Sequence, residues 1–149
     1  MLRRSRSKDS AAWYYNEKEV GAAIRAFLSK TGLPRSAIFF TTKLRNNSTS
    51  YDSVKAAIDK SLKDCGLGHI DLYLLHSALG GPEARRESWR AVCDAKKEGK
   101  LKSIGVSNFG VRHLKEMIRS GVELPAVNQV KSFRSPLVRV TIVAQYNQC

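Results

Sequence analysis

The sequence predicts an α/β protein whose parallel sheet bends into a (β/α) barrel. Three observations carry this expectation. First, short apolar runs alternate with amphipathic stretches at a spacing of roughly 30 residues, the size of a strand-helix unit. Second, the runs Ile38-Phe39-Phe40-Thr41-Thr42 and Ile70-Asp71-Leu72-Tyr73-Leu74-Leu75 are almost continuously apolar. Strands of that kind are buried on both faces, as parallel strands usually are. Third, chemistry-bearing residues follow several different runs: Lys43, His76, Ser107-Asn108 and Gln129. Groups gathered from the ends of many strands are the signature of a barrel, not of one phosphate-binding turn. An open dinucleotide-binding sheet would show Gly-x-Gly-x-x-Gly after its first strand. No such turn is present, and Gly66-Leu67-Gly68 precedes a strand.

The elements follow in order. Residues 17–30 read as an amphipathic helix, with Val20, Ala23, Ile24, Phe27 and Leu28 on one stripe. Asn16 with Glu19 is its expected capping pair, and Gly32 and Pro34 end it. A strand over 37–42 comes next. Val54, Ala57, Ile58, Leu62 and Cys65 mark a second helix stopped by Gly66, and a strand is expected over 69–75. Pro82 opens a third helix carrying Trp89, Val92 and Cys93, closed by Gly99. A strand over 101–106, a helix marked by Val111, Leu114, Met117 and Ile118, and a strand over 126–130 complete the repeats. In the tail, Val138, Ile142 and Val143 predict a weak fifth helix over 137–148. The segment before Asp9 reads Arg-Ser-Arg-Ser-Lys, so no opening strand is expected there.

Composition bounds the function. The 149 residues are 42% hydrophobic, ordinary for one globular domain. The basic start is not expected to act as a secretory signal, and its Arg/Ser-rich stretch is short for a transit peptide. Cys65, Cys93 and Cys149 are too far apart for a zinc site or a disulfide framework, which predicts a reducing, cytoplasmic setting, buried inert thiols and no metal. The net charge of +13 invites a nucleic-acid reading. The basic residues are spread along the chain, however, and no aromatic residues interleave them as stacking platforms. A basic surface that favours an anionic cofactor is the simpler reading.

Asp9, Tyr14, Lys43 and His76 form a proton-delivery set. A phenol with a pKa near 10 is a poor acid at neutrality. A neighbouring ammonium favours the phenolate and lowers that value. Lys43 supplies such a charge, Asp9 can hold Lys43, and His76 can donate to a substrate oxygen. Taken singly, each has a plain structural role: a half-buried aromatic, a solvated strand-end lysine, a capped histidine, a helix-leading carboxylate.

The joint pattern is what resembles a known family. Asp9-Ser10-Ala11, Tyr14, Asn16-Glu17, Glu19-Val20-Gly21, Thr41-Thr42-Lys43-Leu44, Ile70–His76, Gly105-Val106-Ser107-Asn108-Phe109 and Val127-Asn128-Gln129 stand in the order and spacing of the aldo-keto reductases. The likeness runs from about Asp9 to Gln129. It implies a (β/α)8 TIM barrel, NADPH as cofactor, a small carbonyl compound as substrate, and Asp9, Tyr14, Lys43 and His76 as the catalytic tetrad. Tyr14 is then the general acid. Ser107, Asn108 and Gln129 match positions that bind the nicotinamide carboxamide, with an N-cap as the alternative role for Ser107-Asn108.

The chain also departs from the pattern. Arg45 and Ser77 stand where the family often has tryptophan, and Val130 to Pro136 has lost the acidic residue that usually follows the glutamine. A barrel of this kind typically needs about 250 residues. The expectation is therefore one incomplete domain over 1–149, with a basic start over 1–8 and a diverged tail over 132–149. Its sheet would hold about four to six parallel strands, and its open edges would invite self-association. Two functions compete: carbonyl reduction with NADPH, and an inactive truncated barrel that binds a partner or does nothing. A DNA-binding domain, resting on charge alone, is third.

Overall fold

The computed structural model describes residues 6–12, 16–131 and 138–142. Five parallel strands lie side by side in chain order and curl into a half-barrel: β1 (Arg6–Asp9), β2 (Ile38–Leu44), β3 (Ile70–Leu75), β4 (Leu101–Ser107) and β5 (Val127–Lys131). Four helices make the crossovers: α1 (Glu17–Thr31), α2 (Tyr51–Cys65), α3 (Gly81–Lys97) and α4 (Val111–Arg119). A sixth strand, β6 (Val138–Ile142), pairs antiparallel with β5.

The alternation of β residues sorts each strand into two faces. Phe40, Leu44, Tyr73, Leu75, Ile104 and Val106 join Ile24, Val54, Ile58, Trp89 and Val92 of the helices in one core. Between Ile104 and Val106, Gly105 turns to the opposite, concave face. A Cβ there would stand 2.8 Å from Leu74 Cδ2, Val127 Cγ2 and the Val127 carbonyl oxygen. Glycine is what lets β3, β4 and β5 curl tightly at that level.

The helix boundaries follow from local chemistry. Ser50 caps α2 by accepting from the Ser53 N–H, and Gly66 ends α2 in the left-handed region. Gly32 ends α1 in the same way. The Asn16–Glu19 capping pair does not form. Asn16 makes no cap bond, because its side-chain oxygen accepts the Ser10 hydroxyl at 2.7 Å.

Two further expectations are corrected. The residues before Asp9 do form an opening strand, β1, with Ser7, Lys8 and Asp9 exposed. Backbone pairing with β2 supplies the ladder, and an edge position tolerates polar side chains that a central strand would not. The tail is no helix where it is described. Val138, Val140 and Ile142 alternate with Arg139 and Thr141, a period of two that pairs with β5 from Val127 to Lys131. Three shared helical positions were a weaker signal than five alternating, mostly β-branched ones.

At the N-terminal ends of β2 and β3, Arg35 gathers the chain. Its guanidinium donates to the carbonyls of Ile38 (2.7 Å), Leu67 (3.3 Å) and His69 (3.1 Å) and to Asp71 Oδ2 (2.6 Å). Asp71 Oδ2 also accepts the Phe40 N–H at 2.9 Å. Arg35→Ala is expected to destabilise the fold by about 2 kcal/mol, since it takes the cation from a half-buried carboxylate and a donor from several carbonyls. A urea midpoint equal to wild type would refute this.

Candidate active site

The C-terminal ends of the five parallel strands carry the candidate residues. Strand register sets their order: Asp9 lies opposite Thr41, Lys43 opposite Leu74, and Ser107 opposite Gln129. His76 directly follows β3. The sheet therefore brings Asp9, Lys43, His76, Ser107 and Gln129 to one edge. Asn108 directly follows β4 at the same edge. Tyr14 lies in 13–15, outside the described residues.

Lys43 is the centre of the arrangement. Thr42 points to the helices, so its neighbour Lys43 points to the concave face. The Lys43 side chain is 5% exposed. Its ammonium pairs with Asp9 Oδ1 and donates to the Ser10 carbonyl at 3.0 Å. A buried charge is tolerated only when paired in this way. Asp9 itself is 43% exposed, on a short polar edge strand. Its second oxygen, Oδ2, accepts from Gln129 Nε2 at 2.9 Å. That bond joins residues 120 positions apart, from the first parallel strand to the fifth, and is possible because the sheet curls.

Ser107 and Asn108 are tied into the same rim. Ser107 Oγ donates to the Gln129 carbonyl at 2.9 Å, and the Asn108 backbone N–H donates to that carbonyl at 2.9 Å. Asn108 Nδ2 reaches the His76 carbonyl at 3.2 Å and Ser107 Oγ at 3.1 Å. Asn108 has φ 57, a left-handed conformation that asparagine tolerates better than most residues. The N-cap alternative for Ser107-Asn108 fails, because α4 begins only after Gly110. Asn128 faces the other way, exchanging two bonds with the Phe109 backbone at 2.8 and 3.3 Å.

A buried polar cluster behind the site was not anticipated from the sequence. Glu17 Oε1 accepts the Thr42 hydroxyl at 2.6 Å, and Oε2 accepts the Ser61 hydroxyl at 3.1 Å. These bonds fasten the start of α1 to β2, beside Lys43, and to α2. One signal was available: Glu17, Gly21 and Ile24 share a helix face at i, i+4 and i+7, so a carboxylate sits on the buried stripe. Glu17→Ala is expected to cost about 1–3 kcal/mol by stranding two hydroxyls, and Glu17→Gln distinctly less. Equal urea midpoints for the two variants would contradict that role.

Other titratable groups are poor candidates for chemistry. Tyr73 is fully buried, and burial pushes its phenol up. Burial also raises the Cys65 thiol and pushes Cys93 up to about 11, as the expectation of inert thiols requires. None of the described helices is long and apolar enough to cross a membrane.

Comparison with known proteins agrees with this arrangement. The model of the aldo/keto reductase family matches residues 6–135. An uncharacterized oxidoreductase of Schizosaccharomyces pombe is 48% identical over 124 residues, which cover 83% of this chain and 44% of that protein. A glyoxal reductase of Bacillus subtilis is 40% identical over 126 residues, 85% of this chain and 44% of that one. The crystal structure of a Bombyx mori aldo-keto reductase in complex with NADP superposes with a TM-score of 0.79 at 33% identity, covering 85% of this chain and 44% of that one. The chain thus spans a little under half the length of these relatives. With the barrel strands in order, the lysine-aspartate pair at their C-terminal ends and a family match over most of its length, the chain belongs to the aldo/keto reductase family.

Proposed function

We propose that the protein reduces an aldehyde or ketone to an alcohol with NADPH, with Tyr14 as general acid. The observation that carries this reading is the buried Lys43 ammonium, held by Asp9 and the Ser10 carbonyl at the mouth of the sheet. A fixed positive charge there favours the phenolate form of a nearby tyrosine and so makes its phenol a better proton donor. Tyr14 is the candidate, because it stands in the sequence between Ser10 and Asn16, and those two residues are bonded to each other. His76 orients the carbonyl oxygen. Proton transfer from Tyr14 to that oxygen completes the alcohol, and the phenol is restored from solvent.

Ser107, Asn108 and Gln129 are the residues that would hold the nicotinamide. Their amide and hydroxyl groups, gathered on one rim, offer both donors and acceptors and fit a carboxamide in kind. The bound cofactor would supply the hydride. The related glyoxal reductase and the NADP complex support the choice of a small carbonyl compound and a phosphorylated dinucleotide. The free, buried thiols of Cys65 and Cys93 suit a reducing compartment and hence the cytoplasm.

A second reading is an inactive barrel that binds a partner or associates with itself. One observation favours it: a largely apolar groove of about 640 Å³ lies open beside β1, where Ser7 and Lys8 join Val20, Ala23, Ile24, Phe27 and Ile38 in its lining. NADPH consumption with a reactive aromatic aldehyde decides between the two. Turnover by the purified chain supports the reductase, and none from folded protein supports the second reading.

A further inference from the structure

The Asp9 carboxylate has little to hold it. It sits on a four-residue polar edge strand, and its side chain is nearly half exposed. Rotation about its side-chain torsions would carry Oδ1 away from the ammonium and into water. Gln129 is anchored far more firmly. Its backbone is paired with β4, and its carbonyl accepts from both Ser107 Oγ and the Asn108 N–H. From that fixed point its side-chain amide crosses the mouth of the sheet and donates to Asp9 Oδ2.

We propose that Gln129 is a positioning residue for Lys43: by holding Asp9 Oδ2 across the mouth, it keeps Asp9 Oδ1 on the Lys43 ammonium. The inference deepens the reductase reading and rests on it for the use made of Lys43. It gives Gln129 a task beyond the carboxamide contact. A glutamine amide has two N–H donors and one acceptor, so the group that steadies Asp9 can also meet a carboxamide. The rim Asn108–Ser107–Gln129 and the pair Asp9–Lys43 then form one connected polar chain. A ligand that pulls on Gln129 changes how Asp9 holds the ammonium.

The test reads the Lys43 ammonium directly. In the ¹⁵N-labelled 149-residue chain, a buried, ion-paired lysine exchanges its protons slowly and gives an ammonium cross-peak, assigned by its loss in Lys43→Arg. Gln129→Met keeps the reach of the side chain without a donor, and Gln129→Glu sets a second carboxylate against Asp9. Both are expected to lose the Lys43 cross-peak, with backbone signals from β2, β3 and the helices unchanged. An unchanged cross-peak in both variants, or no Lys43 cross-peak in wild type, overturns the proposal. If either variant fails to fold, Asp9→Asn supplies the second reading. The Gln129 side-chain NH₂ signals should shift upfield as the charged acceptor is lost, and unmoved signals overturn the proposal. NADPH turnover on the same samples keeps the two readings apart: an inactive wild type whose Lys43 signal disappears in both variants sinks the reductase and supports the hold of Gln129 on Asp9.

Discussion

Tyr14→Phe is expected to lower turnover by about 10²- to 10⁴-fold, the usual contribution of a positioned general acid. The substitution removes one hydroxyl and keeps the ring, so NADPH binding should stay close to wild type. Separating the two readouts matters. A loss of both would mean that the segment between Ser10 and Asn16 had been disturbed, since those ends are joined by the 2.7 Å hydrogen bond and lead directly into α1. A loss of turnover alone assigns the proton to Tyr14. Turnover that survives sinks the assignment. Lys43→Met in the same background should add little to the loss, because a charge that acts through the phenol has nothing left to act on. Such non-additivity is the mark of groups working as one unit.

A loss of stability as large as that of Arg35→Ala is expected from Gly21→Ala. At this position α1 crosses the end of α2 so closely that a Cβ would overlap the Cys65 carbonyl and stand 2.6 Å from Cys65 Cα. The obstacle is backbone, and it is itself engaged, because the Cys65 carbonyl accepts from the Arg25 guanidinium. It cannot step aside as a side-chain tip would. The helices must part, which loosens the contact of Ile24 with Ile58 and Cys65 in the core. Alanine gains about 1 kcal/mol of helix propensity over glycine, but overpacking of this kind costs about 1–3 kcal/mol and sometimes more. Because the obstacle is backbone, the cost lies at the upper end, about 3 kcal/mol, and the net expectation is a loss of about 2 kcal/mol. With urea slopes of about 1–3 kcal/mol/M, the midpoint should fall by roughly 1 M at constant slope. A midpoint that rises would mean the helices are farther apart than described.

The sequence was legible where a single period dominated. The apolar runs of β2 and β3 are read correctly, because burial on both faces writes itself into residue spacing; on α1 the stripe holds at Ile24, with Val20, Phe27 and Leu28 half-buried, but Ala23 is exposed and Glu17 and Gly21 are buried. Failures fell where pairing, not composition, made the element. β1 has no apolar side chain among Ser7, Lys8 and Asp9, and it exists through its ladder to β2. β6 exists through its ladder to β5. Neither ladder can be seen from one segment alone.

For the site, the sequence named the candidates Asp9, Lys43, His76, Ser107, Asn108 and Gln129, and the sheet brings them to one edge. What each one touches depends on the folded sheet. The ion pair of Asp9 with Lys43, the seat of Glu17 between Thr42 and Ser61, and the bond from Gln129 to Asp9 join residues between 25 and 120 positions apart. A hydrogen bond depends on separations of a few tenths of an ångström, and those are set by how far the sheet curls. Curl is a property of all five parallel strands together, with Gly105 permitting the close approach of β3 and β5. Local sequence fixes the identity of a side chain and the face it takes, whereas the partner it meets depends on the closure of the whole sheet.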